Sequence, residues 1–377
     1  MLADQRAQFD VDDEVAYLNT AYLSPLLRSV RAAGETALAT RSRPWAITAD
    51  DWFSDVERLR SHVARLINGS PEGVALVPAS SYGLAVAARN LRAGPGDRVL
   101  VLDQEFPSSY YTWRRFAEVT GSRLVVVERA PDQRWTDAVL AAIDDRVAVV
   151  VVPNVHWTNG AWVDLAAVKA RADQASAALV VDASQSLGAV PLDVESLRPD
   201  FLVAVGYKWL LGAVGIGYLY VDERHRSGEP LEENWAVRAG ADDFSALVDY
   251  HDAYQPGARR FDMGQRPNFG LVPMAIAALD QLLAWGVPDI ATTLAAVTDE
   301  IAERARTLGL APPARGERGP HMLGLDLPPE AMDRVAEALA RNGVVVSVRG
   351  RSLRIAPHLH TDAGDVDRLV DALRSAL

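Results

Sequence analysis

The 377-residue chain contains no cysteine, which excludes disulfides, thiolate metal sites and cysteine nucleophiles. Lysine is almost absent too: Lys169 and Lys208 stand against thirty-six arginines. No apolar run approaches the roughly 20 residues of a membrane span. The N-terminus, MLADQRAQFD, lacks the basic and apolar regions of a secretory signal, so a cytoplasmic protein with no membrane partner is expected. A net charge of −12 argues against nucleic acid as a partner. What remains is an ordinary globular balance, 49 % hydrophobic and 23 % charged, in a chain long enough for a large core and two domains.

The two lysines differ in setting. Lys169 lies in DLAAVKARADQ, a solvated helix face, whereas Lys208 stands between Tyr207 and Trp209 after an apolar run. Arginine is always charged, but a desolvated lysine can lose its proton and form a Schiff base with an aldehyde. Asp182 follows ALVV and should emerge at the C-terminal end of a buried strand, where ligands bind in open α/β sheets. Pyridoxal phosphate needs this pair, a lysine for its aldehyde and a carboxylate for its ring nitrogen. A dinucleotide site has less support: Gly212, Gly215 and Gly217 do not have G-x-G-x-x-G spacing and precede a strand rather than opening a helix.

Further strands are expected at 74–77, 99–102, 124–127 and 147–152, the last continuously apolar and so buried on both faces. Ser80 and Ser81 open an alanine-rich helix, where hydroxyls and free N–H groups suit either a phosphate or a plain N-cap. Residues 222–272 form a long polar connection of the kind that usually carries function. From Leu271 the chain reads as helical, followed by short strands at 321–327 and 344–348 and a final helix, DVDRLVDALRSAL. This predicts an arm (1–24), a large domain (25–270) and a smaller α+β domain (271–377). In the last, Arg354 of SLRIAPH offers a strand-borne fork for an α-carboxylate. His358 and His360 read as solvated loop residues rather than metal ligands.

The D-x-x-Q of Asp182 and Gln185, followed by Lys208 past an apolar strand, resembles the cofactor site of the class V aminotransferase family. These are fold type I pyridoxal phosphate enzymes, among them cysteine desulfurases, kynureninases and isopenicillin N epimerase-like proteins. The resemblance runs from YLNTAYLSP to LRIAPHLHTDAGDVDRLVDAL. It implies an α/β fold with a mostly parallel seven-stranded sheet between helices, and a homodimer with active sites at the interface. It also implies phosphate contacts from Ser80 and Ser81 and a ring-stacking Phe106. Asn159, with Thr158 as its neighbour, and Gln185 would face the phenolic oxygen, and His156 would stand behind them. Tyr207 would bond the phosphate, and Arg354 would take the substrate carboxylate. Tyr22 on the arm would either line the substrate pocket or simply pack. One of Gln265, Arg266 and Asn268 would reach the neighbouring subunit's phosphate, with Asn268 the first candidate.

Desulfurases carry a cysteine just before the carboxylate-binding arginine; here that place holds only Arg349-Gly350-Arg351. A persulfide mechanism is therefore excluded. The kynureninase-like pair Phe106 and Tyr207 points to a lyase acting at a C–S or C–C bond of an L-amino acid or its conjugate. Transamination to a 2-oxo acid and epimerisation are the alternatives, and a non-catalytic protein that kept the fold is a further one.

Overall fold

A computed structural model describes residues 1–130 and 132–377. A two-residue strand β1 (Ala16–Tyr17) is followed by helices α1 (Arg28–Arg41) and α2 (Ser54–Leu66). Strands and helices then alternate: β2 (Val74–Val77), α3 (Ser80–Asn90), β3 (Arg98–Leu102), α4 (Pro107–Thr120), β4 (Arg123–Val127) and α5 (Trp135–Ala142). The alternation continues through β5 (Val147–Pro153), α6 (Leu165–Gln174), β6 (Ala178–Asp182), α7 (Val194–Leu197), β7 (Phe201–Val205) and β8 (Gly217–Val221). After the long connection come α8 (Leu271–Trp285), α9 (Val287–Thr307), β9 (Leu323–Asp326), α10 (Met332–Arg341), β10 (Val344–Val345), β11 (Ser347–Arg349), β12 (Ser352–Ile355) and α11 (Ala363–Ala376).

The main sheet has the order β2-β8-β7-β6-β5-β3-β4, with only β8 running against its neighbours. Alternation along β5 shows why both faces are covered. Val150 and Val152 enter one core cluster, and Val149 and Val151 enter the cluster on the opposite face. Parallel strands put their C-terminal ends on one edge, so Asp182, Val205 and Pro153 end at the same rim.

A second core holds β9, β12, α10 and α11. The passage between the two cores does not fall at 271. Helix α8 packs on α1 and α2, and Val287, Ile290 and Leu294 of α9 join the sheet's core, while Ile301, Ala302 and Ala305 join the second. The arm also belongs to the second core, through Ala16 and Leu18. It lies there because β1 pairs in parallel with β10 and Asn19 bridges to Ala356. The strand expected at 344–348 is two strands in different sheets, with Val346 between them.

The long connection is held down by a buried ion cluster. Asp262 takes Arg60 Nη2 at 2.7 Å, Arg266 Nη1 at 2.6 Å and the Leu76 N–H at 2.8 Å, and all three side chains are solvent-free. The two guanidiniums keep the Asp262 carboxyl below its ordinary range despite burial.

Candidate active site

At the rim, one pocket is lined by Ser80, Glu105, Phe106, Trp157, Asp182, Ser184, Gln185, Val205, Tyr207 and Lys208, with Pro153 and Val155 at its floor. The ends of β2, β3, β6 and β7 thus deliver six of the expected residues: Ser80, Phe106, Asp182, Gln185, Tyr207 and Lys208.

Lys208 follows β7 in a tight turn. Gly206 donates to Ile216 O at 2.9 Å and accepts from Gly212 N at 2.8 Å, and a side chain at Gly206 would meet Ile216 O at 2.8 Å. Ser24 of the arm holds the next peptide, its N–H 3.0 Å from Tyr207 O. The Lys208 amine lies 5.5 Å from the Phe106 ring centre and 5.8 Å from that of Tyr207. Burial lowers its pKa to about 8, helped by Arg354 and Arg349 and opposed by Asp182. Burial likewise raises the Tyr207 phenol, with Asp182 and Tyr22 adding to the effect.

Asp182 is anchored through one oxygen, which accepts the Ser184 N–H at 2.9 Å. Beside it stands Glu105, which the sequence reading passed over. Its Oε1 accepts the Phe106 N–H at 2.6 Å, while Oε2 is buried without a partner. Burial and the Asp182 charge push this carboxyl up to about 8, so it is mostly neutral at pH 7. Gln185 is committed within the chain: Nε2 donates to Ala21 O at 3.0 Å, and Oε1 accepts Trp209 Nε1 at 2.9 Å. It ties the arm to the residue after the lysine, and the remaining Nε2 hydrogen is the only one it could offer a ligand.

Several expectations need correction. Ser81 is exposed and lies outside the pocket; on the first turn of a helix, adjacent residues point about 100° apart. Asn159 faces away, its Oδ1 accepting the Ala161 N–H at 3.1 Å in a separate groove, and Trp157 takes the place at the pocket wall. Thr158 and His156 bond each other at 2.8 Å behind that wall, with the His156 ring stacked on Trp135. Asn268 caps α8 through the Gly270 and Leu271 N–H groups and, with Gln265, lines a surface groove away from the lysine. Arg266 is fully buried against Asp262 and donates to Ala236 O at 2.9 Å. Tyr22 is 59 % exposed beyond the pocket lining. His358 and His360 are not solvated. They are fully buried among Phe9, Trp209 and Trp285, and desolvation drives both rings well below their usual pKa.

Arg354 stands on β12, 1 % exposed. Nη1 donates to Trp157 O at 2.7 Å, but Nε and Nη2 have no partner. A buried guanidinium left half-bonded costs free energy unless an anion completes it, which is the condition expected of a carboxylate receptor.

This donor set fits pyridoxal phosphate. An amine without a hydrogen-bond partner among the described residues shares an aromatic-walled pocket with a buried carboxylate. The N-terminus of α3 opens into the same pocket with no side chain capping it. The family profile described as Aminotransferase class-V matches residues 42–363. An uncharacterized aminotransferase, YcbU of Bacillus subtilis, is 28 % identical over 86 % of this chain and 85 % of its own. A kynureninase from Deinococcus radiodurans is 29 % identical over 100 % of this chain and 93 % of its own. A solved structure, a C-DES mutant with glycine covalently linked to the PLP cofactor, superposes with a TM-score of 0.90 over all of both chains at 17 % identity. The chain belongs to the class V aminotransferase family of pyridoxal phosphate-dependent enzymes.

Proposed function

We propose that the protein is a lyase, releasing a side-chain fragment from an L-amino acid or its conjugate without a persulfide step. The observation that supports this reading over its rivals is the kynureninase-like pair Phe106 and Tyr207, whose ring centres lie 5.5 and 5.8 Å from the Lys208 amine. Among the described lining residues there is no imidazole, and the chain has no thiol. Proton traffic at the substrate falls to Lys208 alone, with neutral Glu105 and Tyr207 beside it. The full-length similarity to a kynureninase supports the same reading.

Pyridoxal phosphate supplies an electron sink for the carbanion left when a bond at the substrate's Cα breaks. Lys208 would attach to its aldehyde through Nζ, Asp182 would hold its ring nitrogen protonated, and Ser80 with the α3 N-terminus would bind its phosphate. Phe106 would cover its ring. The two free donors of Arg354 would fix the substrate carboxylate bidentately, which sets the bond at Cα that breaks. With its pKa near 8, the Lys208 amine can both take and return a proton close to neutral pH.

The same reading places the enzyme in the cytoplasm as a homodimer. Gln265 and Asn268 line a groove with Trp52 and Pro44, next to Trp45, which is 82 % exposed. A large ring left in water at the rim of a groove suits burial against a second subunit.

The test is product analysis by mass spectrometry on cofactor-loaded protein, using L-amino acids and S-conjugated cysteines with and without a 2-oxo acid. Fragment release without the oxo acid is the expected result. Turnover only with the oxo acid, moving the amino group, would make the enzyme an aminotransferase and remove the lyase reading.

A further inference from the structure

The hairpin that carries Arg354 brings a second arginine to the same wall. Arg349 ends β11, opposite Ser352, and Arg354 lies opposite Ser347. Both converge on Trp157, whose side chain lines the pocket. Arg354 bonds its carbonyl, and the Arg349 guanidinium carbon sits 5.8 Å from its ring centre. Among the described residues no carboxylate pairs with either: Arg349 donates only to Val348 O, and Arg354 only to Trp157 O. The positive charges are close enough to be felt, since Arg349 lowers the proton affinity of both Arg354 and Lys208.

The local charge balance is therefore incomplete. Asp182 answers to the cofactor ring, and Glu105 is neutral near pH 7. An α-carboxylate on Arg354 neutralises one guanidinium and leaves Arg349 without a counter-charge. A neutral substrate side chain would leave that second positive charge beside Trp157 unanswered.

Resting on the reading that this pocket processes amino acids, we propose that the substrate is an L-amino acid with a second carboxylate on its side chain. Arg354 takes the α-carboxylate and Arg349 takes the distal one. Trp157 serves as the spacer between the two guanidiniums. Because Arg349 is partly exposed, the distal carboxylate lies toward solvent, and chain length can vary within the class.

The experiment titrates the cofactor-loaded protein with L-aspartate, L-glutamate, L-alanine and L-phenylalanine, following the absorbance of the bound cofactor. In parallel, calorimetry measures succinate against butyrate, which need the arginines but no chemistry. The acidic amino acids and succinate should bind at least about tenfold more tightly than their neutral or monocarboxylate counterparts, the scale of one charge-assisted contact. Arg349→Gln should erase that difference, and Arg349→Lys should restore part of it. Equal binding of succinate and butyrate, or a preference that survives Arg349→Gln, overturns the inference. If no amino acid alters the absorbance, the lyase reading fails, and the succinate result alone still decides the role of Arg349.

Discussion

Two buried groups beside the cofactor site titrate in opposite senses, and the cofactor-free protein should show both. Glu105 binds its proton more tightly folded than unfolded, its pKa rising from 4.5 to about 8. Its contribution is therefore full below 4.5 and is lost as pH rises toward 8. Lys208 is the reverse: between about 8 and its ordinary 10.5 the unfolded chain holds more protons, so stability rises with pH there. Melting curves should show the advantage of Glu105→Gln over wild type growing from pH 5 to pH 8. The advantage of Lys208→Met should shrink from pH 8 to pH 10.5. Parallel profiles for wild type and variant would show that the group is not buried as described. Lys208→Ala should also lower turnover by at least about a thousandfold, the scale of losing both the attachment point and the proton carrier; residual turnover measured with saturating cofactor checks this.

At the level of elements, the loops after β6 and β7 must touch for Asp182 and Lys208 to share a pocket. Gly188 makes one such contact, beside the Gln185–Trp209 hydrogen bond. It has φ +97°, and a Cβ there would stand 2.3 Å from the Trp209 carbonyl oxygen. Gly188→Ala should cost about 2 kcal/mol or more, from a left-handed backbone and a backbone clash together, and denaturant unfolding would measure it. A loss below 0.5 kcal/mol, roughly the level of a neutral surface change, would mean that the two loops adjust independently. The strand ends at Asp182 and Val205 were legible in the sequence because each closes an apolar run. Lys208 stood out because arginine had replaced lysine almost everywhere else. Glu105 was not legible: an acid next to Phe106-Pro107 reads as a solvated loop, and only the sheet's closure over it removes the water. Asn159 failed for a related reason. In the loop from Pro153 to Gly160 the two residues from Trp157 to Asn159 take the chain from the pocket to a separate groove, and periodicity does not extend into loops. The two residues of β1 are too few for any pattern, and the histidines at 358 and 360 look polar until Phe9 and Trp285 arrive from distant segments.

For the molecule as a whole, the buried Arg60–Asp262–Arg266 cluster pins the 222–270 connection beneath β2. Asp262→Ala should destabilise the fold by about 3–5 kcal/mol by leaving two guanidiniums buried without their carboxylate, as thermal unfolding would report. If the groove beside Trp45 is a subunit interface, Trp45→Glu should convert dimer to monomer in sedimentation experiments, since this ring is 82 % exposed. A chain that sediments as a monomer before any change would remove the interface proposal. The arm carries a different consequence. Leu18 exchanges hydrogen bonds with Val345 and Ala356, Ala21 holds Gln185, and Ser24 holds the Tyr207 peptide. Residues 16–20 thus find their strand partners in a part of the chain made far later, at 344–356. Until residue 356 is made the arm lacks its partners and the pocket stays open, however early the main sheet forms, and nascent chains stalled before residue 344 should fail to retain the cofactor. Capture of the cofactor becomes a signal that translation has passed residue 356.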